Sequence, residues 1–448
     1  MMISKVKGKE GAGVRSKEGA VAAAPPGQAY VWVWLPGQSA PVVAGLLKRS
    51  GEQLVFNYGQ SYLARPDAIA LYEPELPLRP GALPLAPGLV MPSAIRDAAP
   101  DAWGRRVIIN RILGKAGKDA DPGDIDELTF MLVSGSDRIG ALDFQESAKV
   151  YVPRDESGAT LQQMMEAADL VQKGVPLPAA LDAALFHGSS IGGARPKANI
   201  TDGDKKYIAK FSAQADVYSV VKAEFVAMRL AAEAGLRVAP VRMTSAAGKD
   251  VLLVERFDRQ GTGAAWTRRA MVSALTLLGL DEMMARYASY ADLAEVIRLR
   301  FAAPRATLHE LFSRLMFNIL TGNTDDHARN HAAFWDGRNL SLTPAYDICP
   351  QGRAGNEATQ AMLISGDDRM SRIMSAVAAA AQFQLSADEA LSIARSQIEL
   401  IVARYGAVCT DAGMSDVDRA LLWRRQFLNP FAFEGAPDAL LSLVPQGA

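Results

Sequence analysis

Apolar and polar positions change their period several times along the chain. The run YVWVWL at 30–35 is β-branched and aromatic and stops at Pro36 and Gly37, which predicts a strand. Similar runs at 42–47, 54–58 and 68–72 predict three more. Pro and Gly then crowd 74–92. A small β-rich subdomain with a proline-rich exit is expected over 29–105. Ahead of it, residues 1–28 are rich in Gly, Ala, Lys and Glu and carry no hydrophobic period, so a disordered tail is expected there.

Between 106 and 265 the pattern is mixed. A helix is predicted over 161–172, followed by a glycine-rich turn at 188–193. Strands at 198–201 and 206–211 bracket Asp202 and Gly203, a strong hairpin signal. Val221, Phe225, Met228 and Ala232 recur at i, i+4, i+7 and i+11, predicting a helix that stops at Gly235. Another strand is expected over 251–257. From 266 to 448 the chain reads as helical. Leu311, Phe312, Leu315, Met316, Ile319 and Leu320 make one stripe. Ser386 with Glu389 is a capping box, opening a helix expected to end near Gly406. The fold class that emerges is α+β: a bilobal, protein-kinase-like fold with a β-rich N-lobe and a helical C-lobe, behind a small β-rich subdomain.

Composition works by exclusion. Lys and Arg total 48 against 49 Asp and Glu, a net charge of −1, so nothing suggests binding of nucleic acid by bulk charge. The two cysteines, Cys349 and Cys409, are too few for a disulfide framework and match no zinc spacing. A reducing compartment follows. No apolar run approaches the ~18–20 residues of a membrane span. Lys5, Lys7 and Lys9 are followed by no apolar h-region, so neither a membrane segment nor a signal peptide is expected and the chain reads as cytoplasmic.

The strongest chemical signal is TDDHARN at 324–330, directly after the apolar helix. Asp325 and Asn330 are spaced D-x-x-x-x-N, as in a kinase catalytic loop. One carboxylate accepts a hydroxyl proton while an amide oxygen five residues on holds Mg²⁺ at the same phosphate. A second acid, Asp347, ends the strand-like stretch 340–347, where a kinase places its metal-binding aspartate. Ile348 and Cys349 replace the usual Phe-Gly. His327 and His331 are i, i+4, but Ala328 stands where the zincin motif needs Glu. A packed or hydrogen-bonded His327 bracing the loop is the expectation. Gly188–Gly193 is the candidate phosphate cradle, although Lys197 is misplaced for a Walker motif. Lys210, alone among apolar neighbours on a strand, needs a partner if buried. Bound phosphate is one and Glu224 on the next helix another. A solvent-facing edge-strand lysine and a surface glutamate would show the same letters. Glu255 and Phe257 stand where the chain crosses between lobes, although a surface pair such as Arg256 with Asp258 is the simpler account.

Together these residues resemble the HipA family of bacterial toxin kinases. The resemblance runs from about Tyr30 to near the end and is carried by VWVWLPG (31–37), PDAWGR (100–105), SIGGARPK (190–197), VERFDR (254–259), NTDDHARN (323–330) and LTPAYD (342–347). It implies a serine/threonine protein kinase that uses ATP and Mg²⁺. Asp325 would be the catalytic aspartate, and Asn330 and Asp347 the metal ligands. ATP would meet Ser190, Ile191, Gly192, Gly193 and Lys210, with adenine on the backbone at Glu255 and Phe257. Ser190 matches the serine such kinases autophosphorylate. The resemblance also implies a HipB-like helix-turn-helix antitoxin as partner, DNA contacted chiefly through it, and a protein substrate. In the best-known members that substrate is an aminoacyl-tRNA synthetase. On these terms 29–105 is the family's N-terminal subdomain, 106–265 the N-lobe and 266–448 the catalytic C-lobe. Two departures stand out: Arg195-Pro196 replaces Gln-Glu, and the tail runs about 28 residues ahead of the usual start. A small-molecule kinase on the same scaffold, a catalytically weak corepressor, and a metal hydrolase using Asp325, Asp326, His327 and His331 remain as alternatives.

Overall fold

The structure, a computed structural model, describes residues 26–116, 125–154, 159–186, 189–190, 193, 195–213, 216–261, 265–353 and 355–445. Most of the expected tail therefore lies outside the described residues. Four strands, β1 (Gln28–Val33), β2 (Val42–Ser50), β3 (Gln53–Tyr58) and β4 (Leu142–Gln145), form an antiparallel sheet in the order β3-β2-β1-β4. The strand expected at 68–72 is absent. Its backbone is met instead by tyrosine hydroxyls: Leu71 N–H donates to Tyr58 Oη at 2.8 Å, and Tyr62 Oη donates to Ile69 O at 2.8 Å. Nor does the first unit end at 105, because β4 completes its sheet. β4 reads Leu-Asp-Phe-Gln, an alternation only four residues long whose polar members Asp143 and Gln145 are buried as well, too short to mark a strand in the sequence.

The second sheet contains β5 (Lys197–Asp202), β6 (Lys205–Phe211), β7 (Val241–Ala246) and β8 (Lys249–Glu255), ordered β5-β6-β8-β7. The hairpin loop is Gly203-Asp204, with Gly203 at φ +59° and Asp202 opposite Lys205. Strand alternation separates two faces. Tyr207, Ala209, Phe211, Val251 and Leu253 pack in a small core with Trp103 and the helix Leu161–Gln172. Leu252 and Val254 face the main core, which includes the helix Val220–Glu233. Lys210 alternates onto this second face.

Two short strands, β9 (Arg259–Gln260) and β10 (Thr267–Arg268), precede a three-stranded sheet, β11 (Ala270–Ser273), β12 (Ala332–Trp335) and β13 (Leu340–Leu342). The C-lobe is built on the helices Tyr290–Arg300, Pro304–Thr321 and Ala387–Asp411. The stripe from Leu311 to Leu320 is buried as expected. The last helix does not stop at Gly406. It runs on to Asp411, and Gly413 at φ +61° follows its cap. Gly406 is small for a packing reason: a Cβ there would sit 2.5 Å from Arg419 Nη2. Among the described residues no helix is long and apolar enough to cross a membrane.

A buried ion cluster joins these parts. Asp137 accepts from Lys206 (2.7 Å), Arg256 (3.0 Å) and Arg259 (2.9 Å). Asp258 accepts from Arg256 and Arg259, both at 2.8 Å, and from Gly140 N–H. Burial pushes the Asp258 carboxyl up, but Arg256 and Arg259 outweigh it and hold it down to about 2. An unfolded aspartate titrates near ~3.9. Between roughly pH 4 and 2 the unfolded chain therefore binds more protons than the folded one. The stabilisation is present above that window and lost as pH falls through it. Urea midpoints measured from pH 5 to 2 should fall, with a shallower slope in Asp258→Asn. Equal slopes would show that this carboxylate does not carry the linkage.

Candidate active site

The helix Pro304–Thr321 ends in a left-handed residue, Gly322 at φ +66°. A Cβ there would lie 2.7 Å from Gln426 O, so only glycine fits both the conformation and the space. The chain then turns sharply, with Asn323 N–H returning to Asn318 O at 2.9 Å. The loop that follows is tightened by His327 N–H to Asp325 O (2.9 Å) and Asn330 N–H to His327 O (2.8 Å), leading into a 3₁₀ turn over Ala328–Asn330. Asp325, His327, Arg329 and Asn330 line a cavity of about 520 Å³, while Asp326 and His331 turn into the core at 2% and 3% exposure. The loop thus divides the four groups of the metal-hydrolase reading between two sides. Among the described residues no cluster of three His, Cys, Asp or Glu is placed to hold a metal. His327 braces the loop through its backbone; its buried Nδ1 has no hydrogen-bond partner among the described residues.

Asn330 Nδ2 donates to Asp325 O at 3.2 Å. Its Oδ1 makes no hydrogen bond among the described residues, and the residue lines the cavity. Partial burial pushes the Asp325 carboxyl above its ordinary value; His327 pulls against this, and the Asp347 and Asp326 charges add to the rise.

The strand expected over 340–347 pairs only as far as Leu342, after which Thr343 N–H reaches Ala332 O and Pro344 has no N–H to offer. The chain then crosses to the N-lobe, with Ala345 N–H on Arg237 O at 2.7 Å. Asp347 sits at φ +59°, a conformation that few residues other than glycine adopt. Its carboxylate meets Lys210 Nζ, which also bonds Glu224 Oε1 at 2.5 Å. Lys210 and Glu224 are 8% and 2% exposed, so neither is the surface residue its letter allowed. Burial would lower Lys210, but Asp347 and Glu224 outweigh it and push the ammonium up. Burial likewise would raise Asp347, but Lys210 and Lys197 hold it well below the usual carboxylate range.

Lys197 is the residue that motif matching set aside. It lies opposite Lys210 in the β5–β6 register, is 6% exposed and lines the same cavity. A Cβ on Gly193 would come within 2.1 Å of its Nζ, so glycine at φ +95° makes room for the ammonium. The hairpin held the clue, since a loop at 203–204 pairs 210 with 197.

The turn ahead of Lys197 is described only in part. Ile191 and Gly192 lie outside the described residues. Ser190 is 4% exposed and its Oγ donates to Asp137 O at 3.3 Å; Trp103 N–H donates to Gly193 O and Trp103 Nε1 to Lys197 O, both at 2.9 Å. At the crossing between lobes, the Glu255 side chain pairs outward with Lys205 at 2.6 Å. Phe257 lines the cavity with its ring against Phe334 and Tyr346, and its N–H makes no hydrogen bond among the described residues. Arg256 and Asp258 do pair, but buried in the ion cluster rather than on the surface.

Two family models match this chain: the HipA N-terminal domain at 32–145 and the HipA-like C-terminal domain at 189–408. The chain belongs to the HipA family. The N-terminal match runs through β4, the strand that closes the first sheet. A HipA serine/threonine-protein kinase toxin from Shewanella oneidensis is 26% identical over 256 residues, 49% of this chain and 56% of that protein. A protein of Sinorhizobium fredii named as the putative kinase Y4mE is 34% identical over 131 residues, 28% of this chain and 31% of its own length. The matched stretches thus span less than two thirds of these relatives. The Shewanella oneidensis HipA solved with HipB and its operator DNA superposes with a TM-score of 0.62 at 18% identity, covering 93% of this chain and 96% of that one. The two share the bilobal HipA fold.

In this HipA-family chain Lys210→Met should leave Glu224 buried without its cation, a loss of about 3–5 kcal/mol. Adding Glu224→Gln should recover part of it. Urea unfolding of both variants checks this; equal stabilities would mean that Lys210 does not compensate Glu224.

Proposed function

We propose that the protein is a serine/threonine protein kinase that uses ATP and Mg²⁺. One observation carries the reading: Asp325 and Asn330 on one loop line a single cavity together with Asp347 and the Lys210–Glu224 pair that Asp347 touches. The residues suit both groups. Asp347 is a carboxylate kept charged, and Asn330 has an unused amide oxygen, the hard oxygen ligands Mg²⁺ takes. Lys210 and Lys197 put two ammonium groups on one wall for phosphates, with Gly193 giving them room. The unused Phe257 N–H and the backbone at Glu255 would receive adenine. A cavity of about 520 Å³ is ample for such a ligand.

When bound, MgATP supplies the phosphoryl group and the cation that neutralises its charge. Asp325 takes the proton from the substrate hydroxyl, and its raised affinity for protons suits that role. Lys210, itself steadied by Glu224, orients the phosphates. The substrate is a protein, and Ser190 is a second acceptor within the chain. Its Oγ is buried on the Asp137 carbonyl, so a phosphate adding about −1.5 to −2 charge cannot stay in that seat. The turn must leave, and the phosphate cradle goes with it. A HipB-like helix-turn-helix antitoxin is the partner this reading names, supported by the HipB and operator DNA bound to the Shewanella oneidensis protein. DNA is then contacted chiefly through the antitoxin.

Phosphatase-treated protein incubated with Mg²⁺ and γ-labelled ATP should label itself at Ser190, as mapped by mass spectrometry. Asp325→Ala should transfer about 10²–10⁴-fold more slowly. Unphosphorylated wild type that labels neither itself nor protein substrates would favour a small-molecule kinase or a binding protein. Ser190→Asp should lose ATP affinity; normal ATP binding by that variant would refute the switch.

A further inference from the structure

Asp326 sits beside Asp325, yet its carboxylate points the other way. Its Oδ2 accepts from the Tyr290 hydroxyl and from His331 Nε2 at 3.0 Å. Tyr290 Oη is also 3.3 Å from His331 Nε2, and the two rings meet edge to face with centroids 5.4 Å apart. All three residues are buried, at 0% for Tyr290, 2% for Asp326 and 3% for His331, and none lines the cavity.

The elements they join are distinct. Tyr290 opens the helix Tyr290–Arg300, with its N–H on Leu363 O at 2.8 Å. His331 immediately precedes β12, and its carbonyl accepts from Ala274 N–H at 2.8 Å. One carboxylate therefore ties the residue after Asp325 to the residue after Asn330 and fastens both to the helical lobe. The bonds of His327 N–H to Asp325 O, Asn330 N–H to His327 O and Asn330 Nδ2 to Asp325 O hold the loop from within, and the side-chain tie anchors both its ends to the surrounding core. Burying a carboxylate and its polar partners is seldom the most stable choice, because the charge must give up water for hydrogen bonds within the protein. Its place beside both candidate reacting groups gives it a use in geometry.

We propose that Tyr290, Asp326 and His331 form a buried clamp that sets the distance and direction between Asp325 and Asn330, making Asp326 a positioning residue for phosphoryl transfer. This rests on the kinase reading above. Such a clamp acts on rate more than on binding, since a misplacement of about 1 Å can cost roughly 10²-fold.

The test uses the full chain with Tyr290→Phe and Asp326→Asn, both close in shape to the originals. Wild-type phosphoryl transfer is measured first, then kcat, the KM for ATP, Tm and amide exchange across 324–331. The clamp predicts kcat down about 10–100-fold with KM for ATP within about twofold and folding retained. It also predicts exchange at His327 and Asn330 faster by about tenfold or more, the scale of one lost charge-assisted hydrogen bond. Active wild type with both variants at full kcat overturns the clamp alone. A joint collapse of kcat, KM and Tm also overturns it, because that is a structural role only. Wild type that transfers no phosphate overturns the kinase reading and the catalytic meaning of the clamp together, and loop exchange then shows whether the tie itself is real.

Discussion

Asp258 is a carboxylate drawn deep into the protein and Asp137 one mostly covered, and the arrangement around them constrains much of the rest. Each needs cations and N–H groups on several sides to remain charged without water. Arg256 and Arg259 serve both, while the carbonyls of Asp137, Arg138 and Gly140 take the remaining guanidinium protons. The segment between the N-terminal subdomain and β4 is thereby locked to the stretch where the chain crosses between lobes. Asn199 Nδ2 and Ser190 Oγ both reach the Asp137 carbonyl, so β5 and Ser190 are held at the same point.

Within the cleft the same logic runs through Lys210. Its ammonium touches Glu224 from an N-lobe helix and Asp347 from the C-lobe. A charge shared between lobes fixes their spacing as well as their electrostatics. Lys197 lies close behind, and Lys210 works with burial to push it down. Two cations side by side in a buried wall repel each other, which makes that wall receptive to an anion.

Much of this site was legible because its residues are local in sequence. Asp325 and Asn330 share one loop, the apolar stripe before them has a helical period, and Asp347 follows within a short stretch. Lys210 betrayed itself as a charge among apolar neighbours. The residues missed are those whose meaning depends on distant partners. Asp137 lies in a Ser-Gly run that reads as an ordinary turn, and its partners Arg256 and Arg259 come more than a hundred positions later. β4 alternates apolar and polar over only four residues, Leu142 to Gln145, too short a run to stand out from a loop. The helix Ala102–Ala116 carries Arg105, Arg106, Asn110 and Arg111, which break any apolar stripe. Tyr290 resembles any helix-opening aromatic until the fold brings it to Asp326.

Several costs converge on the same few residues. Asp347 takes a backbone conformation that disfavours side chains, Asp326 is a charge sealed from water, and Asp325 is held more basic than a free aspartate. Each feature lowers stability locally, and each is maintained by a surrounding network rather than by its own element. Ala345 is pinned to Arg237 just before Asp347, and the Tyr290–His331 pair encloses Asp326. Strain persists only where the surroundings over-determine the conformation. Of the non-glycine residues with positive φ among the described residues, Ala247, Asp347, Gln384, Arg424 and Leu428, Asp347 is the one that lines the cavity, so there a geometric need coincides with a local cost.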